Sequence, residues 1–165
     1  MATMARNNMT AHRNKHVVHL GLAALLGFLF SLPFAGCERT GACHVPIGDV
    51  GFTIQPNDAM YSDLSCVGGS CLLRYGPYGQ YVGHVGVIIV RTGLDDFVAY
   101  EATCPLDTNT ALQISDSLGS AVIECPRCGS LFSTYTDGVP LAGSATSCSL
   151  FSYQTIYNGK DLTIY

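Results

Sequence analysis

Two cysteine turns constrain this chain more than any other feature. Cys104-Pro105-Leu106-Asp107 is followed by Cys125-Pro126-Arg127-Cys128-Gly129-Ser130, with twenty residues between Cys104 and Cys125. Two thiolates spaced by two residues can hold one metal ion. Proline presets one backbone dihedral, and glycine permits the tight turn that aims N–H groups at sulfur. The fold must therefore bring two loops to one place.

The sequence around these turns reads as short strands. Val85 to Val90 is β-branched and almost wholly apolar, so it is expected to be central. Cys71 to Tyr75 is a second strand candidate, and Phe97 to Glu101 should pair with the central strand across a turn at Thr92–Asp96. Ser120 to Glu124 and Leu131 to Thr134 are two more. Ser149 to Tyr157 places Phe151, Tyr153, Thr155 and Tyr157 on one face, and Asn158-Gly159 suits a type I′ turn into a last strand, Asp161 to Tyr165. No heptad, repeat or long amphipathic helix interrupts the series. An all-β antiparallel sandwich or small barrel follows. The Gly- and Tyr-rich stretch 75–83 is expected to be an ordered loop.

The N-terminus reads differently. Arg6, Arg13 and Lys15 precede an uncharged apolar run from Leu20 to Ala35. As a helix those residues would span about 24 Å, short of the ~30 Å hydrocarbon core. A cleaved signal segment over 1–36 is the better reading. It ends Leu32-Pro33-Phe34-Ala35-Gly36-Cys37, which resembles a bacterial lipobox with a bulky Phe34 at its apolar position. Cys37 then becomes the lipidated first residue of the mature chain, 37–48 a lipidated tether, and 49–165 the folded domain. The expected location is the bacterial cell envelope, anchored by lipid on the periplasmic or surface side of a membrane. Beyond residue 36 five Lys/Arg and twelve Asp/Glu remain, a net charge of −7. That balance argues against a nucleic-acid partner, and the compartment permits disulfides.

The cysteine turns and their surroundings resemble the Rieske family. That family reads Cys-x-His in the first loop and Cys-x-x-His-Gly-Ser in the second. Here the first loop and the strand before it read Phe97-Val98-Ala99-Tyr100-Glu101-Ala102-Thr103-Cys104-Pro105. The second loop and its sequel read Cys125-Pro126-Arg127-Cys128-Gly129-Ser130-Leu131-Phe132-Ser133, followed by Asp137-Gly138, Gly143-Ser144-Ala145-Thr146 and a closing hairpin. The likeness covers roughly Val45 to Tyr165. It implies a Rieske-like antiparallel sandwich with two cysteine loops, and electron transfer through a [2Fe–2S] cluster. The departures are as informative. Rieske chemistry needs two Cys on one iron and two His on the other, whereas Leu106 takes the first His position and Cys128 the second. His44 and His84, the histidines left beyond residue 36, read as surface or structural residues.

Three readings of the site remain open. Cys104, Cys125 and Cys128 bind a [2Fe–2S] cluster with a fourth ligand such as Asp107. Alternatively the same residues hold one structural Zn²⁺, or no metal is bound and two of the cysteines are oxidised to a disulfide. Cys43, Cys66, Cys71 and Cys148 are candidate disulfide cysteines, with Cys66 and Cys71 able to close a small loop and Cys148 an alternative fourth ligand. No Gly-x-Ser-x-Gly elbow, phosphate loop or His-Glu-x-x-His is present. The acidic residues are expected in turns, with Asp95-Asp96 at a solvated hairpin tip. The chain therefore reads as an electron carrier working with an unnamed redox partner. The competing class is a non-redox envelope module bound to another envelope protein, its loops stapled by zinc or disulfides.

Overall fold

A computed structural model describes residues 43–165 apart from Asp116, with 119–121 as main chain only. The expected signal segment 1–36 and Cys37 lie outside the described residues, as do the first residues of the expected tether. Ala42–Tyr165 forms one unit.

Strand β3 (Val87–Arg91) organises the fold. It pairs antiparallel with β2 (Ser70–Leu73) and β4 (Phe97–Glu101), and β8 (Ser152–Tyr153) adds to the far edge of β4, giving the order β2-β3-β4-β8. Each β3 residue is buried. With a side-chain period of two, Val87 and Ile89 face one core while Ile88 and Val90 face a second. Ala99 and Tyr100 in β4 divide in the same way. This is why the central strand is apolar without alternation.

The first core joins Val87, Ile89, Phe97 and Ala99 to Phe52, Ile54, Leu162 and Ile164. Those last four come from an outer sheet ordered β1 (Phe52–Ile54), β10 (Leu162–Ile164), β9 (Thr155–Tyr157). A 3₁₀ segment, Ala59–Leu64, adds Tyr61 and Leu64. The second core joins Ile88, Val90 and Tyr100 to Leu112, Ile123, Phe132 and Leu150, together with Cys104 and Cys125. Its outer sheet runs β5 (Gln113–Ser115), β6 (Gly119–Glu124), β7 (Leu131–Ser133). The chain is thus all-β and antiparallel, with apolar burial on both sides of the middle sheet as its driving force.

Two expectations about the closing hairpin need correction. The stretch 149–157 is not one strand. It leaves the middle sheet after Tyr153, and Gln154 exchanges hydrogen bonds with Tyr165 as β9 begins. The Asn158-Gly159 turn is not type I′, because Gly159 has positive φ (91°) and Asn158 does not. Instead the Asn158 side chain accepts from the N–H groups of Lys160 and Asp161, which satisfies the tip locally.

Buried polar groups fix the edges of the first core. Glu101 is fully buried and its carboxylate accepts from Tyr153 OH (2.7 Å), Thr103 Oγ1 (2.7 Å) and the N–H groups of His84 (2.7 Å), Val85 (3.4 Å) and Gly48 (3.5 Å). The expectation that acidic residues lie in turns fails here, because five donors make burial of this carboxylate tolerable. At the other end Arg91 donates to the carbonyls of Leu64, Ser65, Gly93 and Leu94 and to Asn57, over the ring of Phe97. Residues 43–48 of the expected tether are fastened to the domain by a Cys43–Cys148 disulfide and by Gly48. Among the described residues no helix is long and apolar enough to cross a membrane.

Candidate metal centre

Both cysteine turns emerge at one end of the second core. The first begins where β4 ends. Thr103 bridges to Ala111, and Cys104 N–H donates to Thr110 O (3.0 Å), so residues 104–110 close as a loop. The second is the tip of the β6–β7 hairpin, closed by the Glu124–Leu131 pair and by Cys125 N–H to Ser130 O (2.9 Å). Gly129 donates back to Cys125 O (3.0 Å) at φ 69°, a backbone state that glycine reaches without strain. Pairing of Gln113 with Glu124 ties the sheet carrying one loop to the strand that leaves the other. A salt bridge from Arg127 to Asp107 (2.8 Å) joins the two loops directly.

The result is a group of three sulfurs. The Sγ atoms of Cys104, Cys125 and Cys128 all lie within 4.8 Å of one another, and Cys104 and Cys128 are 3.7 Å apart. Cys104 and Cys125 are buried members of the core, while Cys128 sits half-buried at its rim. Backbone N–H groups of Asp107 and Leu106 point at the Cys104 sulfur, and that of Ser130 at Cys128. These amide dipoles favour thiolate, the form that binds metal.

The thiols differ in acidity. Burial pushes the Cys104 thiol up to about 12, helped by the adjacent Cys125 thiol and opposed by the two loop amides. Burial also works to raise Cys128. There the hydroxyl and N–H of Ser130, with the Cys125 and Cys104 thiols, outweigh it and bring the group below the ordinary thiol value. Ser130 is fully buried and also accepts from Ala145 N–H (3.1 Å), which brings the loop 141–149 onto the site. Ser144 fastens the same loop, its hydroxyl bonding both the N–H (3.0 Å) and the carbonyl (2.9 Å) of Leu131.

Several expected site residues lie elsewhere. Asp107 does not join the sulfurs, since its carboxylate is taken by Arg127, Thr110 and Asn109. That set lowers its pKa below the ordinary carboxylate value, with the Thr110 hydroxyl the largest cause. Cys148 is joined to Cys43 and has no free thiolate to offer as a ligand. The suggested Cys66–Cys71 closure is absent. Both thiols are free, Cys66 exposed and Cys71 half-buried at the start of β2. His44 and His84 are exposed, and neither belongs to the sulfur group. Leu106, at the first Rieske histidine position, is largely exposed and offers no donor atom. Sequence reading missed the Arg127–Asp107 clasp and the Glu101 network. The clasp had a signal in its opposite charges, one in each turn, whereas Glu101 had none.

The residues present do not fit the two-cysteine, two-histidine set of a standard Rieske [2Fe–2S] centre. They do fit a thiophilic metal held by thiolates.

No protein-family model matches this chain, and no curated protein matches it. Among solved structures it is similar to a chain of a complex of reduced oxygenase and oxidized ferredoxin in carbazole 1,9a-dioxygenase. The two are 22% identical over 73% of this chain and 94% of that one, with a TM-score of 0.43. A likeness of that degree assigns no family.

Proposed function

We propose that this chain is a Rieske-like electron-transfer domain of the bacterial envelope, carrying iron on cysteine thiolates and held at a membrane by a lipid on Cys37. One observation carries the reading. Three cysteines from two separate turns converge at one tip of the fold, with backbone amides aimed at two of the sulfurs. Iron held by thiolates supplies one-electron exchange, at a lower potential than the histidine-ligated form because each thiolate adds negative charge. The chain's own part is to hold the ligands and shield the centre. Cys104 and Cys125 hold it from the core side, and Ser130 with Ala145 braces the second turn. Cys128, with Leu106, Pro126 and Arg127 around it, faces the solvent side where a redox partner would approach. The lipobox sequence ending at Cys37 supports the anchor.

Anaerobic purification of the full chain in detergent tests the proposal. A coloured protein with bound iron and a paramagnetic resonance signal in one redox state is expected. A colourless, iron-free product that cannot be reconstituted overturns it. Cys37→Ala should release the protein from membranes. A structural zinc is a second reading, favoured by the place of Cys104 and Cys125 inside the apolar core, where an ion would act as a staple. It predicts a colourless protein that loses thermal stability on chelation.

A further inference from the structure

We infer that the Cys104/Cys125/Cys128 site takes a single thiophilic divalent ion, with its fourth coordination position open to solvent, in place of a two-iron cluster. The inference rests on the metal-binding reading above and adds its nuclearity. Zn–S bonds of about 2.3 Å in a tetrahedron place neighbouring sulfurs about 3.8 Å apart. Cys104 and Cys128 already stand at 3.7 Å, and all three sulfurs fall within 4.8 Å. In a Rieske arrangement Cys104 would ligate one iron and the residue at position 128 the other. Ligands of different irons flank opposite ends of a two-iron cluster, so they stand farther apart than ligands of one ion. The observed spacing is that of sulfurs on a shared ion.

The fourth position has no occupant from this set of residues. Asp107 is tied to Arg127 and Thr110, Cys148 is oxidised with Cys43, and Leu106 has no ligand atom. The side that Cys128 faces is open, for Pro126, Arg127, Gly129 and Leu106 are all exposed. Three protein ligands and one exchangeable position are what ions that take up an external ligand require. Water or a small thiol from solution fits that place.

The test counts atoms. The full chain, purified anaerobically in detergent, is analysed for iron, zinc and acid-labile sulfide, then stripped and titrated with Co²⁺. One metal per chain without labile sulfide is expected, with Co²⁺ saturating at one equivalent and showing tetrahedral and sulfur charge-transfer bands. Cys128→Ser should cut the charge-transfer intensity by about a third and weaken Co²⁺ binding at least tenfold. Cys66→Ser should change neither. Added 2-mercaptoethanol should shift the Co²⁺ bands of the unaltered protein, reporting the open position independently of any variant. Two irons with two sulfides per chain overturn the inference while the electron-transfer proposal stands. A single ion whose spectrum ignores added thiol overturns the open position. A protein that binds no metal overturns both readings, and a mass two hydrogens below the fully reduced site would identify an oxidised thiol pair as the cause.

Discussion

The two cores that share strand β3 are finished in different ways. The first is mainly hydrocarbon, with the lone Cys71 thiol packed against it, and its polar edges are saturated by Glu101 and Arg91 with partners drawn from the chain. The second ends in Cys104 and Cys125, with Cys128 packed against it. Apart from its sulfurs the second core is ordinary, built on Ile88, Val90, Tyr100 and Phe132. One side of the sandwich therefore depends only on its own residues. The other has an end whose chemistry changes with metal, proton or oxidant. Stability and function should separate along the plane of the middle sheet.

The sharpest way to break this division is at Glu101. Glu101→Leu would strand five donors, at about 1–3 kcal/mol for each that stays buried and unpaired. We expect a loss of about 3–5 kcal/mol in urea denaturation, or failure to fold. Glu101→Gln, which keeps an acceptor, should lose less. A loss under about 1 kcal/mol would mean that the buried carboxylate does not close the first core.

The Cys43–Cys148 bond comes next. Closing so long a loop is worth typically about 2–4 kcal/mol. Its Cys148 end lies in the loop that Ser130 and Ser144 hold, beside the core that carries the three sulfurs. Paired replacement by serine should lower the melting temperature and remove its dependence on reductant. A double variant that still melts lower under reductant would point to another disulfide.

Proton linkage separates the cores with a smaller effect. Cys104 is raised from 9.0 to about 12 in the folded protein. A thiol whose folded pKa exceeds its unfolded value adds stability in full below pH 9, and loses it as pH rises from 9 toward 12. Cys71, raised to about 12 by burial and by Asp63, has the same sign on the other core. Metal-free protein should therefore weaken across that window. Because buried tyrosines contribute there too, the comparison is with Cys104→Ala and with Cys71→Ala, each removing its own share. Metal-loaded protein should lack the Cys104 share, since that thiol has already given up its proton. An unchanged pH profile in Cys104→Ala would contradict the assignment.

Arg127→Ala should matter least. Arg127 is 71% exposed, and surface ion pairs contribute about 0–1 kcal/mol. Metal stoichiometry should not change, because Asp107 keeps its bonds to Thr110 and Asn109. A lost equivalent of metal would show that the clasp, and not the hairpins, sets the distance between the turns.

The part of this architecture legible in the sequence is the part with local causes. Val85 to Val90 reads as a central strand because both of its faces are apolar, and the structure places β3 there, shifted by one or two residues at each end. The meeting of the two cysteine turns follows from residue type and spacing, and the sulfurs do converge. What stays hidden depends on distant partners. Nothing near Glu101 in the sequence announces Tyr153 or Gly48, and the opposite charges of Asp107 and Arg127 do not by themselves say that the carboxylate will be held away from the sulfurs. The break at Gln154 is set by Tyr165, the last residue, so alternation alone reads through it.

The covalent link from Cys43 to Cys148 makes most of the domain a closed ring. Both cysteine turns, and every strand from β1 to β7, lie within it. A protease that cut the backbone once anywhere in the ring would open a loop without releasing a fragment. The nicked protein would run as one species on a denaturing gel until reductant was added. Of the strands, those lost to a single cut are β8, β9 and β10, which lie in the tail beyond Cys148. Damage to the exposed loops thus leaves Cys104, Cys125 and Cys128 on one covalent body.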